Sequence, residues 1–189
     1  PIGDEVPVEG RDLWAERTRA FCEGLDFAGY NYLYARYASD AATFPGRVIA
    51  GTESMAHHSY DNWQAVLANR QVIGDFIWTA WDYMGEAGLG RVEWGVRGRP
   101  QGLGSFPCRT AASADFDLCG VPTPHGRYHR ILWGSEAGPV LFAAHPSHFG
   151  QEYGGLGWHW RDVQESWTFE PEWIGRPVAV EAYTDADEV

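Results

Sequence analysis

Cations are scarce in this sequence. Its 189 residues carry 14 Lys and Arg against 26 Asp and Glu, a net charge of −12. Nucleic acid and anionic membrane surfaces would repel such a chain, so neither is expected as a partner. Cysteine is also sparse: Cys22, Cys108 and Cys119 are odd in number and form no CxxC pair. They read as free thiols of a reducing, cytoplasmic compartment, although an odd count leaves export open. No apolar run approaches the length of a membrane span. No signal peptide is visible, but the chain starts in what reads as mid-domain, so this bears little on export. Neither GxGxxG nor a Walker pattern follows a strand in the glycine-rich stretch holding Gly98, Gly102 and Gly104, which excludes a nucleotide site there. Ser54, in Gly51-Thr-Glu-Ser54, does not sit in the GxSxG elbow of a hydrolase triad.

What is abundant is aromatic. Ten Trp, nine Tyr and nine Phe are a heavy aromatic load. Most pack the interior, and the rest suit a pocket whose flat walls stack on apolar faces of a ligand. The 44% hydrophobic and 21% charged content is ordinary for a globular protein, and the length fits one large domain or one domain plus a piece of another.

Three runs share one design. Leu25-Asp-Phe-Ala-Gly-Tyr-Asn-Tyr32 ends in an amide and a phenol, Arg47-Val-Ile-Ala-Gly-Thr-Glu-Ser54 stops at an acidic residue, and Val72-Ile-Gly-Asp-Phe-Ile-Trp-Thr-Ala-Trp-Asp82 ends in indoles and a carboxylate. With helix-length stretches between them they recur about every 22 to 25 residues, the rhythm of βα units in a parallel sheet. Residues 1–10 read as a surface loop. Asp12 to about Gly24 reads as an amphipathic helix with Leu13, Trp14, Arg17, Ala20 and Phe21 on its spacing. Further helices are expected over Leu33–Phe44, ended by Pro45-Gly46, and over Asp61–Asn69. Gly85 to about Gly126 reads as a long loop, followed by a short helix over His125–Trp133. Beyond Gly138 the period changes to two. Val140–His145, Gly157–Arg161 and Pro177–Tyr183 read as antiparallel strands of a separate, incomplete β domain, which divides the chain into 1–137 and 138–189.

Polar groups at the ends of parallel strands are where barrel enzymes keep their chemistry. Glu53 leads the candidates, though by spacing alone it reads equally as a surface carboxylate. The phenols of Tyr30 or Tyr32 and the amide of Asn31 are donors for it. Strand alternation puts Tyr30 and Tyr32 on one face and Asn31 on the other, unless Asn31 lies past the strand end. Trp78 reads as a core indole on its residues alone. Asp82 and Glu86 leave the same strand, and Trp81 reads as packing. The pair His57-His58 reads as loop histidines in hydrogen bonds, with His57 kept as a candidate ligand contact. No further His, Asp or Glu falls at metal-ligand spacing, so no metal or other cofactor is expected.

The order of Gly29-Tyr-Asn-Tyr32, Val48-Ile-Ala-Gly-Thr-Glu-Ser54 and Phe76-Ile-Trp-Thr-Ala-Trp-Asp-Tyr-Met-Gly-Glu86 resembles glycoside hydrolase family 2, in its β-galactosidase-type branch. Asp115-Phe-Asp-Leu-Cys-Gly120 and Tyr128-His-Arg-Ile-Leu-Trp133 resemble the segments that close the barrel there. Ser166-Trp-Thr168 and Val178–Asp185 resemble the start of the following immunoglobulin-like domain. The resemblance implies an α/β fold: about strands six to eight of a (β/α)8 TIM barrel, then the start of an all-β immunoglobulin-like domain. It makes Glu53 the catalytic nucleophile and Trp78 a wall of the sugar subsite; beside them Asn31, Tyr32, Asp82 and His57 are kept, from their positions, as candidate substrate contacts. The implied partner is a carbohydrate substrate.

A retaining glycosidase needs an ionised carboxylate to attack the anomeric carbon and a second carboxyl group about 5–5.5 Å away to protonate the leaving oxygen. In the family this acid/base is a Glu after an Asn at the end of the fourth strand, and no Asn-Glu pair occurs in this sequence. The chain is therefore expected to be a C-terminal fragment of a barrel, inactive alone, with sheet edges that invite aggregation. Two other readings stand beside the β-galactosidase: another family member such as a β-glucuronidase, and a non-catalytic carbohydrate-binding module.

Overall fold

The structure is a computed structural model and describes residues 10–96, 102–136 and 138–187. The chain forms two compact units, Pro1–Ile77 and Trp78–Val189.

The first unit alternates helix and strand. α1, Leu13–Cys22, is capped by Asp12, whose carboxylate accepts from the Ala15 amide at 3.0 Å; Glu16 in the first turn and Arg19 in the last suit the helix dipole. Its inward face differs from the expected stripe: Arg17 and Ala20 are exposed and Phe21 is 76% exposed, whereas Ala15 is buried and Trp14 and Cys22 pack on the core. Polar anchors set this rotation. The Trp14 indole donates to Asp40 at 3.0 Å and Thr18 accepts from Arg47, so the face follows Trp14, Thr18 and Cys22, one of which looks polar in sequence.

β1, Ala28–Asn31, is shorter than the run from Leu25 suggests. The Leu25 amide is spent on the Cys22 carbonyl at the helix end, and Leu25 and Phe27 are exposed. The helix expected over 33–44 forms as a 3₁₀ turn, Tyr34–Arg36, running into α2, Tyr37–Thr43. β2 is Ile49–Met55, so Glu53 lies within the strand rather than ending it. A 3₁₀ turn, Ala56–His58, leads to α3, Ser59–Ala68, and then β3, Val72–Trp78, whose last residue opens the second unit. The sheet order is β1-β2-β3, with β1 and β2 parallel. Ala28, Tyr30, Tyr37, Ile49, Val66 and Val72 form the core.

Gly51 sets how closely that core closes. A Cβ there would lie 2.2 Å from Asp75 Oδ1 and 2.4 Å from the Tyr37 hydroxyl. Gly51→Ala is expected to destabilise the fold by roughly 1–3 kcal/mol, the range for overpacking, measured by denaturant titration.

In the second unit the segment after β3 is largely irregular, as expected, but β4, Val92–Trp94, forms within it. α4, Pro124–Leu132, is capped by Thr123 with Pro at its first position. β5, Val140–Ala143, β6, Tyr153–Gly155, and β7, Val180–Tyr183, follow. β4 pairs antiparallel with β6, and β5 with β7 in the register Val140↔Tyr183. The strand expected over Gly157–Arg161 does not form. There the His159 amide turns back onto the Leu156 carbonyl at 3.0 Å, so the Trp-His-Trp alternation imitates a strand in what is a turn. Ile131, Val140 and Phe142 make the second core, with Val163 and Tyr183 packed on it. Among the described residues no helix is long and apolar enough to cross a membrane, and Cys22, Cys108 and Cys119 carry free thiols.

Candidate active site

The site is built on an irregularity between two parallel strands. β1 and β2 pair in step from Ala28↔Ile49 through Tyr30↔Gly51, and then Asn31 faces Glu53 instead of Thr52. The extra residue, Thr52, bulges outward. Bulges are rare in parallel pairs and tend to re-aim a side chain beside a site. Gly29 gives Thr52 its room, since a Cβ there would meet the threonine methyl at 2.8 Å.

The bulge delivers three side chains to one place. Thr52 Oγ1 donates to Asn31 Oδ1 at 2.6 Å, which leaves the Asn31 amide nitrogen to donate to Glu53 Oε2 at 3.2 Å. Tyr32 follows in the left-handed region, φ 57°. Its backbone amide donates to the Glu53 carbonyl at 2.7 Å and its hydroxyl donates to Glu53 Oε1. Each carboxylate oxygen of the half-buried Glu53 thus has its own donor. Asn31 and Tyr32 both reach it because the bulge and the left-handed residue break strict alternation.

Tyr30 does not join them. It is buried, donates to Asp40 at 2.6 Å, and accepts from Arg47 at 2.9 Å. Burial and the hydrogen bond to Asp40 push its phenol up to about 12. Ser54 is also buried and donates to Asp75 at 2.5 Å. His57 is exposed on its 3₁₀ turn and packs on His58 at 3.9 Å between ring centroids; His58 meets Tyr34 edge-on at 5.8 Å.

Trp78 and Asp82 belong to the second unit. The Trp78 indole donates to the Tyr83 hydroxyl at 3.3 Å, and Tyr83 in turn donates to Glu86. The Trp78–Thr79 peptide is cis. Asp82 has a bracing position: its Oδ1 accepts from the amides of Tyr83 and Ala112, each at 3.0 Å. It also lines an open cavity of about 410 Å³ with Asp117, Thr123, His125 and Trp160. Trp81 stacks on Phe116 at 5.8 Å while remaining half-exposed. Among the described residues no group of three or more His, Cys, Asp or Glu is placed to hold a metal ion.

Sequence reasoning missed a second polar centre. Asp115 Oδ1 lies 2.8 Å from His129 Nδ1 and 3.2 Å from His125 Nε2, with both histidines buried on α4. The only signal was the i, i+4 spacing of the two histidines, which marks a shared helix face. Burial opposes the charge on Asp115, but the facing His125 and the hydrogen bond with His129 overcome it and hold the carboxyl at about 2. Burial lowers His125 despite the neighbouring carboxylate. Both shifts act in one direction. His125 resists the proton that an unfolded histidine takes up below about pH 6.5, and Asp115 resists the one that an unfolded aspartate takes up near pH 4. Stability from the pair is therefore present near neutrality and falls with acid, the Asp115 share being lost from about pH 4 down through about 2. Denaturation measured against pH should show Asp115→Asn removing the lower stage of that loss.

The class these observations define is an α/β chain with a carboxylate gripped between two parallel strands by an amide and a phenol. The comparisons give that class a family context. The chain is similar to a solved glycosyl hydrolase family 2 member from Bacteroides cellulosilyticus, with 36% identity and a TM-score of 0.71 over 88% of this chain and 21% of that one. A second solved member, from Bacteroides cellulosilyticus DSM 14838, has 31% identity and a TM-score of 0.61 over 88% of this chain and 19% of that one. The chain spans about a fifth of the length of these relatives. No protein-family model and no curated protein matches it.

Proposed function

We propose that this chain supplies the nucleophile of a retaining β-glycosidase of glycosyl hydrolase family 2, acting on terminal β-galactosides. The observation that carries the proposal is the pair of donors on Glu53, one to each oxygen, from Asn31 and Tyr32. A carboxylate held this way is fixed in orientation, as attack on an anomeric carbon requires. The similarity to the two solved family members supports the same reading.

In the proposed reaction Glu53 attacks the anomeric carbon while a second carboxyl group gives its proton to the departing oxygen. This forms a glycosyl ester and releases the alcohol. The second group then takes a proton from water, the water oxygen attacks the anomeric carbon, and Glu53 leaves with the sugar's β configuration restored. We assign that acid/base to sequence preceding this chain. On the family resemblance, Trp78 is proposed as a wall of the sugar subsite, and Asp82 and His57 are proposed as further sugar contacts. The proposed architecture is the C-terminal part of a (β/α)8 barrel over 1–137 and the start of an immunoglobulin-like domain over 138–189. The proposed setting is cytoplasmic, with no nucleic-acid or membrane partner.

The test treats a polypeptide extended upstream with an activated 2-deoxy-2-fluoro-galactoside and maps the adduct by mass, with this chain alone as control. A glycosyl adduct on Glu53 in the extended protein is expected. A folded extended protein that takes no adduct from the galactosyl or the glucuronyl reagent would overturn the nucleophile assignment. Labelling by the glucuronyl reagent alone would overturn the galactoside specificity.

A further inference from the structure

A donor that orients Glu53 must itself be held, and an asparagine amide is hard to hold. Its last side-chain torsion is broad, so the amide plane swings unless both of its ends find partners. Glu53 supplies one of them. An ionised carboxylate only accepts, so the end that faces it is the amide nitrogen, at 3.2 Å. The other end then presents its oxygen, and Thr52 Oγ1 donates to that oxygen at 2.6 Å.

Thr52 suits this role. It is β-branched, which restricts its first torsion, and it is the residue that the bulge pushes out of step, so that Asn31 faces Glu53 in its place. The bulge is fixed from the interior as well. Gly51 and Ser54 lie three residues apart, and in a regular strand they would face opposite sides of the sheet. Here both meet Asp75 Oδ1 on β3. A Cβ on Gly51 would lie 2.2 Å from that oxygen, and the buried Ser54 hydroxyl donates to it at 2.5 Å. The irregularity at Thr52 is what brings them to one side. Interior packing thus delivers the Thr52 hydroxyl to Asn31, although Thr52 itself is exposed.

We propose that Thr52 is a positioning residue whose hydroxyl holds the Asn31 amide on Glu53 Oε2, and so keeps the carboxylate aimed for attack on the anomeric carbon. The inference rests on the glycosidase reading. Thr52 is assigned no contact with the substrate; it acts through Asn31.

In the full-length polypeptide that carries this chain, the concentration dependence of labelling by the 2-deoxy-2-fluoro-galactoside separates sugar binding from attack. Thr52→Val removes the hydroxyl at nearly constant shape. It is expected to slow maximal labelling about tenfold, the upper end of what one hydrogen bond contributes, and to change the binding constant less than about threefold. Thr52→Ser keeps the hydroxyl and is expected to label within about threefold of the parent rate. In an Asn31→Ala background, adding Thr52→Val is expected to cost nothing further, because nothing is left for the hydroxyl to hold. A threonine that only supported the fold would cost the same in both backgrounds. Should Thr52→Val fail to fold, Thr52→Ala against Thr52→Ser makes the same comparison.

Labelling of Thr52→Val at the parent rate overturns the inference. So does Thr52→Ser labelling as slowly as Thr52→Val, a loss confined to binding, or a Thr52→Val effect that persists in full without Asn31. No labelling of the parent protein by the galactosyl or the glucuronyl reagent defeats the glycosidase reading instead. A crystal structure of Thr52→Val then decides the positioning claim alone: it stands if the Asn31 amide leaves Glu53 Oε2 and fails if that bond is kept.

Discussion

Glu53→Gln in the full-length polypeptide is expected to lower turnover of an aryl β-galactoside by on the order of 10³-fold or more, the scale seen when a covalent nucleophile is removed. The substitution is nearly isosteric. Its amide keeps an oxygen to accept from Tyr32 or Asn31, so the strand pair and its bulge should survive, with only a small change in thermal midpoint. What it cannot do is form the glycosyl ester. Labelling by the fluoro-sugar should vanish along with turnover, while galactose affinity stays within a few-fold. A carbohydrate-binding module would show no turnover or labelling in either form and the same retained affinity. Glu53→Ala adds a second reading: azide entering the vacated space should yield the α-galactosyl azide. A Glu53→Gln protein that turns over normally would sink the nucleophile assignment whatever its binding shows.

The largest effect on stability is expected at Asp40. This carboxylate is fully buried on α2 and accepts from the Tyr30 hydroxyl at 2.6 Å, Arg36 at 2.9 Å and the Trp14 indole at 3.0 Å, with Arg47 at 3.8 Å. It joins α1, β1, α2 and the loop before β2. Arg47 in turn lies 3.7 Å over the Phe44 ring. Asp40→Ala would leave a phenol and an indole without their acceptor and take the buried counter-charge from two guanidinium groups, although Arg36 keeps Asp12 and Arg47 keeps Thr18. Breaking such a buried pair costs roughly 3–5 kcal/mol, a large part of the total stability of an ordinary domain. Asp40→Asn keeps an acceptor and the shape but not the charge, so its cost should be smaller. Denaturant titration of both variants checks the order. Equal stability of Asp40→Ala and the parent protein would mean that the first unit closes without this centre.

The two centres differ in how far they could be read from the chain. Glu53, Asn31 and Tyr32 stood out in the sequence because polar residues interrupt apolar runs there, and such a pattern needs only local sequence. Their meeting was not legible. Strict alternation pointed Tyr30 and Tyr32 the same way, and a bulge at Thr52 has no local signature, since it depends on how two strands 22 residues apart come into register. The bonds that Asp82 makes were hidden for a related reason. Its backbone partner, Ala112, is 30 residues away in a segment with no pattern at all.

Helices and strands followed their periodicities where neighbours agreed with them: α3, α4, β5 and β7 lie close to where spacing puts them. They failed where a polar partner elsewhere in the fold set the rotation, as in α1, or where aromatic alternation served a turn, as at His159. Sequence alone therefore determined the βα rhythm, the acidic surface and the residue types able to do carboxylate chemistry, because these depend on composition and short-range spacing. Only the tertiary structure decided which donors reach Glu53, that Asp40 anchors the first unit, and that Gly51 must lack a side chain. Those outcomes depend on distances between segments far apart in the chain, and local patterning carries no information about such distances.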